Sequence, residues 1–463
     1  MQQHLTSGKG FYRRLILITL PIILQNGIST FVSLLDNIMV GQLGTMEMSG
    51  VSVVNQLMTV FYITIYGAAS GATIFTAQYY GSGDHDGVRY ATRFKLYFCM
   101  LLTLIAGALF AWQGDGLIRL FLQGEGSAQD AGQILHHGRI YLNCMLWGMI
   151  PFTISNTYAT TLRECGKTTP PMVASICSVL VNLVLNYLLI YGKMGLPAMG
   201  VQGAALATVI ARFVELAIVA TWTHLHQAEN PFIKGFYRSL HIPRALLRQV
   251  GVKSVPLLFN ELMWSTGMAF LNQCYSTCGL DVVPALNISS TLANLAAVVC
   301  FAVGTSVSII IGQMLGANCT REDVLSASKK CLWTGVGSGV VFGMLMLAVA
   351  NLFPMLYNTT EEVRALATKL IWLTALIWLP MRAFIHPVYF AIRAGGKTFI
   401  TMLFDSGFLW ITMVPMAFLL SRFTDMSILW LYALCNGMEF IKCAIGYAML
   451  NKGDWIQNLT ASK

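Results

Sequence analysis

Apolar runs of about the 20 residues needed to cross a bilayer lie at approximately 13–42, 50–79, 92–113, 132–161, 169–192, 200–224, 246–277, 283–316, 326–353, 362–392, 398–421 and 427–450. The pattern predicts twelve transmembrane helices. The first run is broken by Asn26, Ser29, Ser33 and Asp36. Their spacing of three, four and three residues puts them on one helix face. A carboxylate at the centre of a spanning helix costs roughly 2.5–3.5 kcal/mol on insertion scales. This polar stripe is therefore expected to face a protein interior or a wet cavity. Two roles fit it: a hydrogen-bonded seam between helices, or an ion or substrate site.

Composition agrees with lipid as the solvent. Of 463 residues, 56% are hydrophobic and only 11% charged, against about 25% charged in soluble domains; mean hydropathy is +0.64. Lys9, Arg13 and Arg14 precede an apolar run longer than the roughly 7–15 residues of a signal-peptide core, so the run reads as a retained first span. The eleven cysteines are scattered without a C-x-x-C pair. Cys274 and Cys278, one turn apart, read as small core residues.

The net charge of +9 follows from loop bias. With the N-terminal side taken as inside, twenty of the 29 Lys and Arg fall in inner segments, counting Lys9 and Lys463, and six in outer ones. Arg212, Arg382 and Lys442 fall within spans. Both termini are expected in the cytoplasm of a cell whose inner membrane holds the chain. No nucleic-acid partner is needed to explain the charge.

The longest basic connection, His224–Arg248, predicts an N-terminal six-helix lobe at 1–225, a cytoplasmic linker at 226–248 and a C-terminal six-helix lobe at 249–463. The halves match each other. A shift of 235 superposes Pro21 on Pro256, Gly44 on Gly279, Gln78 on Gln313 and Gly81 on Gly316. A shift of 230 superposes Arg163, Gly166, Lys167 and Thr168 on Arg393, Gly396, Lys397 and Thr398. Six helices per half keep both copies in one orientation, so the repeat axis runs along the membrane normal. The expected fold is an all-α integral membrane protein of two lobes, and two such bundles suit alternating access.

Several stretches carry a resemblance. LLDNIMVGQLG at Leu34–Gly44, AQYYGSGD at Ala77–Asp84 and GQMLGAN at Gly312–Asn318 resemble segments of multidrug and toxic compound extrusion (MATE) transporters. So do VNLVLNYLLIYG at Val181–Gly192, GAALATVIAR at Gly203–Arg212, and the two endings RECGKT and RAGGKT. The resemblance runs over about residues 12–450, in a prokaryotic form closer to the DNA-damage-inducible branch than to the eukaryotic one. It implies export of organic, often cationic compounds driven by Na⁺ or H⁺ as coupling ion, with no other cofactor.

The resemblance also implies an ion-coupling site at Asp36, Asn182, Asn186 and Thr208. Asn182 and Asn186 share a helix face, and carboxylate, amide and hydroxyl oxygens suit Na⁺ as a metal. A desolvated carboxyl suits proton carriage equally. Many members carry Asp where Asn186 stands, which weakens the sodium reading.

In the second half the 235 shift matches Asn26 with Glu261. One branch uses a glutamate there together with an acid on the tenth helix, but that tenth-helix position is Arg382 here. A buried Glu261–Arg382 pair is expected, either structural or opened by a cationic substrate. Asp405 is a further intramembrane charge. Glu439–Lys442 and Arg212–Glu215, each three residues apart, are expected to pair locally. His386 is expected to pack rather than relay protons.

Abundant Met (24), Phe (25), Tyr (17) and Trp (10) suit recognition of lipophilic cations, although core and lipid-facing filler accounts for most of them. Pro21, Pro151, Pro256, Pro380, Pro387 and Pro415 are expected to kink helices.

The leading expectation is a secondary antiporter, monomeric and embedded in the bilayer. Flipping of a lipid-linked precursor, or export of a metabolite, by a related fold is the alternative. A major-facilitator carrier fits poorly, because the second connection reads GSGDHDGVRYATR. No Walker motif occurs, so ATP is not expected as the energy source. His136 and His137 stand at a helix end without acids at metal spacing, and no nucleophile–base cluster argues for an enzyme.

Overall fold

The computed structural model describes residues 8–121, 128–424 and 426–461. Lys463, counted above among the inner charges, and the side chain of Lys9 lie outside what it describes. Twelve long helices run through the described residues. They are α1 (Gly8–Gly41), α2 (Thr45–Ser82), α3 (His85–Phe121), α4 (Ala128–Glu164), α5 (Thr169–Tyr191) and α6 (Gly200–Leu225). The second half holds α7 (Arg244–Ser276), α8 (Val282–Gly316), α9 (Arg321–Val349), α10 (Glu361–Ala394), α11 (Thr398–Phe423) and α12 (Ile428–Lys452). All twelve expected spans have their helix.

Ten of the twelve are long and apolar enough to span by themselves. The other two, α4 and α7, carry more polar positions. In α4 these are buried hydroxyls: Thr153, Thr157 and Thr160 each donate to the carbonyl four residues earlier, at 2.7–3.0 Å. A hydroxyl satisfied by its own helix needs no water.

Two of the flagged prolines mark real irregularities. A wide π-helical turn at Thr374–Trp378 stands just before Pro380, and turns at Leu403–Gly407 and Leu409–Met413 stand just before Pro415. A proline offers no amide hydrogen, and a wider turn accommodates the missing bond. Pro21, Pro151, Pro256 and Pro387 sit inside helices that continue past them.

The chain divides into two compact units. One holds Leu24–Thr76 and His85–Gly251. The other holds Val252–Lys463, the residues up to Ile23, and Ala77–Asp84. Two stretches of the first half thus group with the second, and each has a packing cause. Phe11, Leu15, Ile18 and Ile22 are buried in the cluster of Ile310, Met314, Leu332 and Ile385, and Thr19 donates to Ser306 at 2.8 Å. Gln78 donates to the Ala394 carbonyl at 2.9 Å and accepts from the Leu459 amide at 2.7 Å.

The internal repeat is visible in backbone geometry. Gly166 and Gly396, matched by the 230 shift, both take φ +78°, a left-handed helix end that glycine alone adopts freely. At the 235 shift, a Cβ on Gly81 would collide with the Gln313 carbonyl, and one on Gly316 with the Gln78 carbonyl. The contact is reciprocal. Gly312, itself the partner of Ala77 at that shift, faces the Ala77 methyl across the same crossing.

Residues 226–243, the first part of the expected linker, are held down. The Arg93 guanidinium donates to the carbonyls of Gly235 (2.7 Å), Phe236 (2.9 Å) and His241 (3.1 Å). Arg89 donates to Phe232 at 3.0 Å. Arg93→Ala is expected to cost on the order of 2–3 kcal/mol, as charged hydrogen bonds do. Limited proteolysis should then cut faster within 226–243, while the helical circular-dichroism signal stays.

Candidate functional site

α5 and α6 form a tight hairpin whose small residues decide what the site can reach. Gly203 abuts the Leu189 carbonyl closely enough that a Cβ there would lie 2.7 Å away. Ala204, Ala207 and Ala211 are buried on the same helix. Small side chains let spanning helices approach, and here they bring Asn182 and Thr208 within 3.2 Å.

Asp36 of α1 enters against this hairpin. Asn186 Nδ2 donates to Asp36 Oδ1 at 2.7 Å. The amide of Asn182 is best turned with its nitrogen 2.9 Å from Asp36 Oδ2 and its oxygen 3.2 Å from Thr208 Oγ1. The carboxylate then accepts from two amides, and the donors carry no charge of their own. Asn186 is buried, at 1% exposure, and its Oδ1 has no hydrogen-bond partner. An acceptor oxygen left unpaired next to a carboxylate can receive a proton or ligate a small cation.

The four residues implied by the resemblance therefore meet. A cavity of about 120 Å³ beside them is lined by Ser29, Ser33, Asp36, Asn182 and Thr208, and also by Ser175, Ser178, Arg212 and Glu215. Asn26, the first position of the stripe, does not line it. Arg212 and Glu215 pair at 3.1 Å, as their spacing predicts.

The second half departs from expectation. Arg382 does not pair with Glu261; its Nη2 lies 3.0 Å from Glu439 Oε1. Lys442 does not pair with Glu439; it reaches Asp405 Oδ1 at 2.8 Å. Glu439 and Lys442 both sit in one helical segment, Glu439–Lys452, and each takes a counter-charge from a neighbouring helix: Arg382 on α10 for Glu439 and Asp405 on α11 for Lys442. Both pairs are buried. Glu261 is half-buried and forms no ion pair among the described residues, with Arg393 and Asp405 the charges within electrostatic reach. His386 packs edge-on against Phe301. His137 lies 3.7 Å from Glu47, an acid that spacing along the chain did not place near it.

One organising residue escaped the sequence reading. Asn260 donates to Asp405 Oδ2 and to the Tyr389 hydroxyl, both at 3.2 Å, and accepts from Ser406 Oγ at 2.8 Å. The 235 shift could have found it. Its first-half counterpart is Gln25, which accepts from Arg163 at 2.7 Å.

Comparison with known proteins bears on the family and the fold. The model of the MatE family matches residues 21–188 and 256–419, two stretches that begin 235 residues apart. A probable multidrug resistance protein NorM of Thermotoga maritima is 24% identical over 420 residues, covering 90% of this chain and 87% of its own. A probable multidrug resistance protein YoeA of Bacillus subtilis is 23% identical over 426 residues, covering 91% and 90%. The crystal structure of a mutant of the Vibrio cholerae MATE transporter VcmN superposes with a TM-score of 0.84 at 18% identity, covering 96% of this chain and 98% of its own. That likeness shows the fold.

The buried pairs of the second half make a stability test. Arg382→Met leaves Glu439 uncompensated and is expected to cost about 3–5 kcal/mol, whereas adding Glu439→Met should restore most of the loss. Thermal unfolding of the three proteins in detergent checks this.

Proposed function

The chain belongs to the MatE family, a multi-pass membrane transporter and not an enzyme, and from that premise we propose that it exports organic, lipophilic and often cationic compounds in exchange for H⁺ or Na⁺. The observation that carries the reading is Asp36, a carboxylate on a spanning helix that accepts from uncharged amides only. A monovalent cation or a proton neutralises it at low desolvation cost. To ligate Na⁺, Asn182 or Asn186 turns its amide oxygen inward, with Thr208 Oγ1 completing the set. To carry H⁺, Asp36 donates to Asn186 Oδ1 once that amide turns over. No other cofactor is required, and ATP has no role.

Exchange follows if ion and substrate exclude one another. Occupied, the first half is electrically satisfied; vacated, Asp36 draws an organic cation toward it. Glu261, a carboxylate without an ion pair, offers the second half's attraction for the same class of substrate. Arg382 belongs instead to the fold, through Glu439. Arg382 and Lys442 are both neutralised by buried acids, so neither offers a free cation to a lipid-linked pyrophosphate, which weighs against the flippase reading. The topology proposed is that of a monomer in the inner membrane with both termini in the cytoplasm.

In vesicles loaded with a fluorescent lipophilic cation, efflux should follow either an imposed proton gradient or an imposed sodium gradient. Asp36→Asn is expected to abolish the coupled component, and coupling that survives it removes Asp36 from the mechanism. Asn186→Asp adds a second carboxylate and should raise the response to sodium, read as a lower half-saturating sodium concentration.

A further inference from the structure

The cavity beside Asp36 is longer than an ion site needs. Three helices line it, and on each the polar positions run over the same length. On α1 they run from Asp36 through Ser33 to Ser29, on α5 from Asn182 through Ser178 to Ser175, and on α6 from Thr208 through Arg212 to Glu215. Each series spans seven helical steps, or about 10 Å of helix at 1.5 Å per step. α1 and α5 run one way and α6 the other, so all three series lead from Asp36 toward the membrane side on which α1 begins. At that end Ser29 and Ser175 approach to 3.5 Å between hydroxyls. A cavity of about 120 Å³ with polar walls has room for a short file of waters.

Two opposite charges stand at the far end. The Glu215 carboxylate is largely buried and is held by Arg212 at 3.1 Å. The Arg212 guanidinium lies over the rings of Phe152 (5.1 Å) and Tyr62 (5.7 Å). Arg163, at the end of α4, lies within electrostatic reach of Glu215 and is anchored by Gln25. A lone structural ion pair explains neither the serine lane nor its register with Asp36. Paired, Glu215 is neutralised and the guanidiniums repel a cation. Unpaired, Glu215 attracts one.

We propose that this serine-lined lane is the release route of the coupling cation from Asp36 to the cytoplasm, with Glu215 a second carboxylate on the way and Arg212 the charge that closes it against backflow. The inference rests on Asp36 as the coupling group. Arg212 keeps its seat on Phe152 and Tyr62 while Glu215 swings away from it, so the cation meets a free carboxylate only in passing. The pair behaves as a valve.

The test compares gradient-driven efflux, substrate-for-substrate exchange without an ion gradient, and ion leak without substrate, all in the same vesicles. Ser175→Val interrupts the polar wall without touching a charge, and Glu215→Gln removes the second carboxylate. Each is expected to slow gradient-driven efflux by about tenfold while exchange stays within about twofold. Arg212→Gln is expected to raise the substrate-free leak, and Arg212→Lys to restore tightness. A pair that only supports the fold would lower efflux and exchange together and leave the leak alone, and that result overturns the proposal. Normal efflux in both Ser175→Val and Glu215→Gln overturns it as well. Normal coupling in Asp36→Asn overturns the lane and the reading beneath it together, whereas loss of coupling there with unaffected lane variants overturns the lane alone.

Discussion

A carboxylate on a spanning helix must be satisfied without water, and much of this molecule follows from how that demand is met. Asp36 is satisfied by amides rather than by a cation. The consequence is functional. A carboxylate locked to Arg or Lys is already neutral and has little use for a mobile ion, whereas one held by dipoles keeps its charge available. The second half solves the same problem the other way, closing Arg382 on Glu439 and Lys442 on Asp405. Breaking such pairs leaves a buried charge uncompensated, so they serve rigidity better than transport. Glu261 stands outside both pairs.

Satisfying these groups requires close helix approach, and small residues supply it. Gly203 and its alanine neighbours admit α6 to α5, and the distance between Asn182 and Thr208 depends on that contact. Gly81 and Gly316 do the same where the internal repeat crosses itself, each against the carbonyl of the other copy's glutamine. Gln78 then spends its side chain on the chain end, accepting from Leu459 and donating to Ala394 and Gln457. Gln313, its counterpart, accepts instead from Arg14. One duplicated position thus holds two different segments in place. A repeat preserves its backbone crossing because sterics leave no alternative, while its side chains are free to diverge.

Much of the architecture was legible along the chain. Twelve apolar runs and the 235 shift fix helix number and duplication, because lipid tolerates only satisfied helices. The stripe Ser29, Ser33 and Asp36 was legible from the period of the helix, and Asn182, Asn186 and Thr208 from a resemblance of motif. What periodicity misstated was partnership. Three-residue spacing was right for Arg212 and Glu215 and wrong for Glu439 and Lys442, which share one helical segment but meet Arg382 and Asp405 on neighbouring helices.

The sequence by itself determined which residues face inward, since hydropathy and helical period act locally and every spanning segment obeys them. Only the tertiary structure decided who meets whom. It grouped the described residues up to Ile23 and Ala77–Asp84 with the second half. It gave Arg382 to Glu439 rather than to Glu261. It opened one cavity along α1, α5 and α6 from Asp36 to Glu215. The physical reason is that a buried charge takes the nearest counter-charge that packing presents, and that choice depends on crossings and small residues far away in the chain.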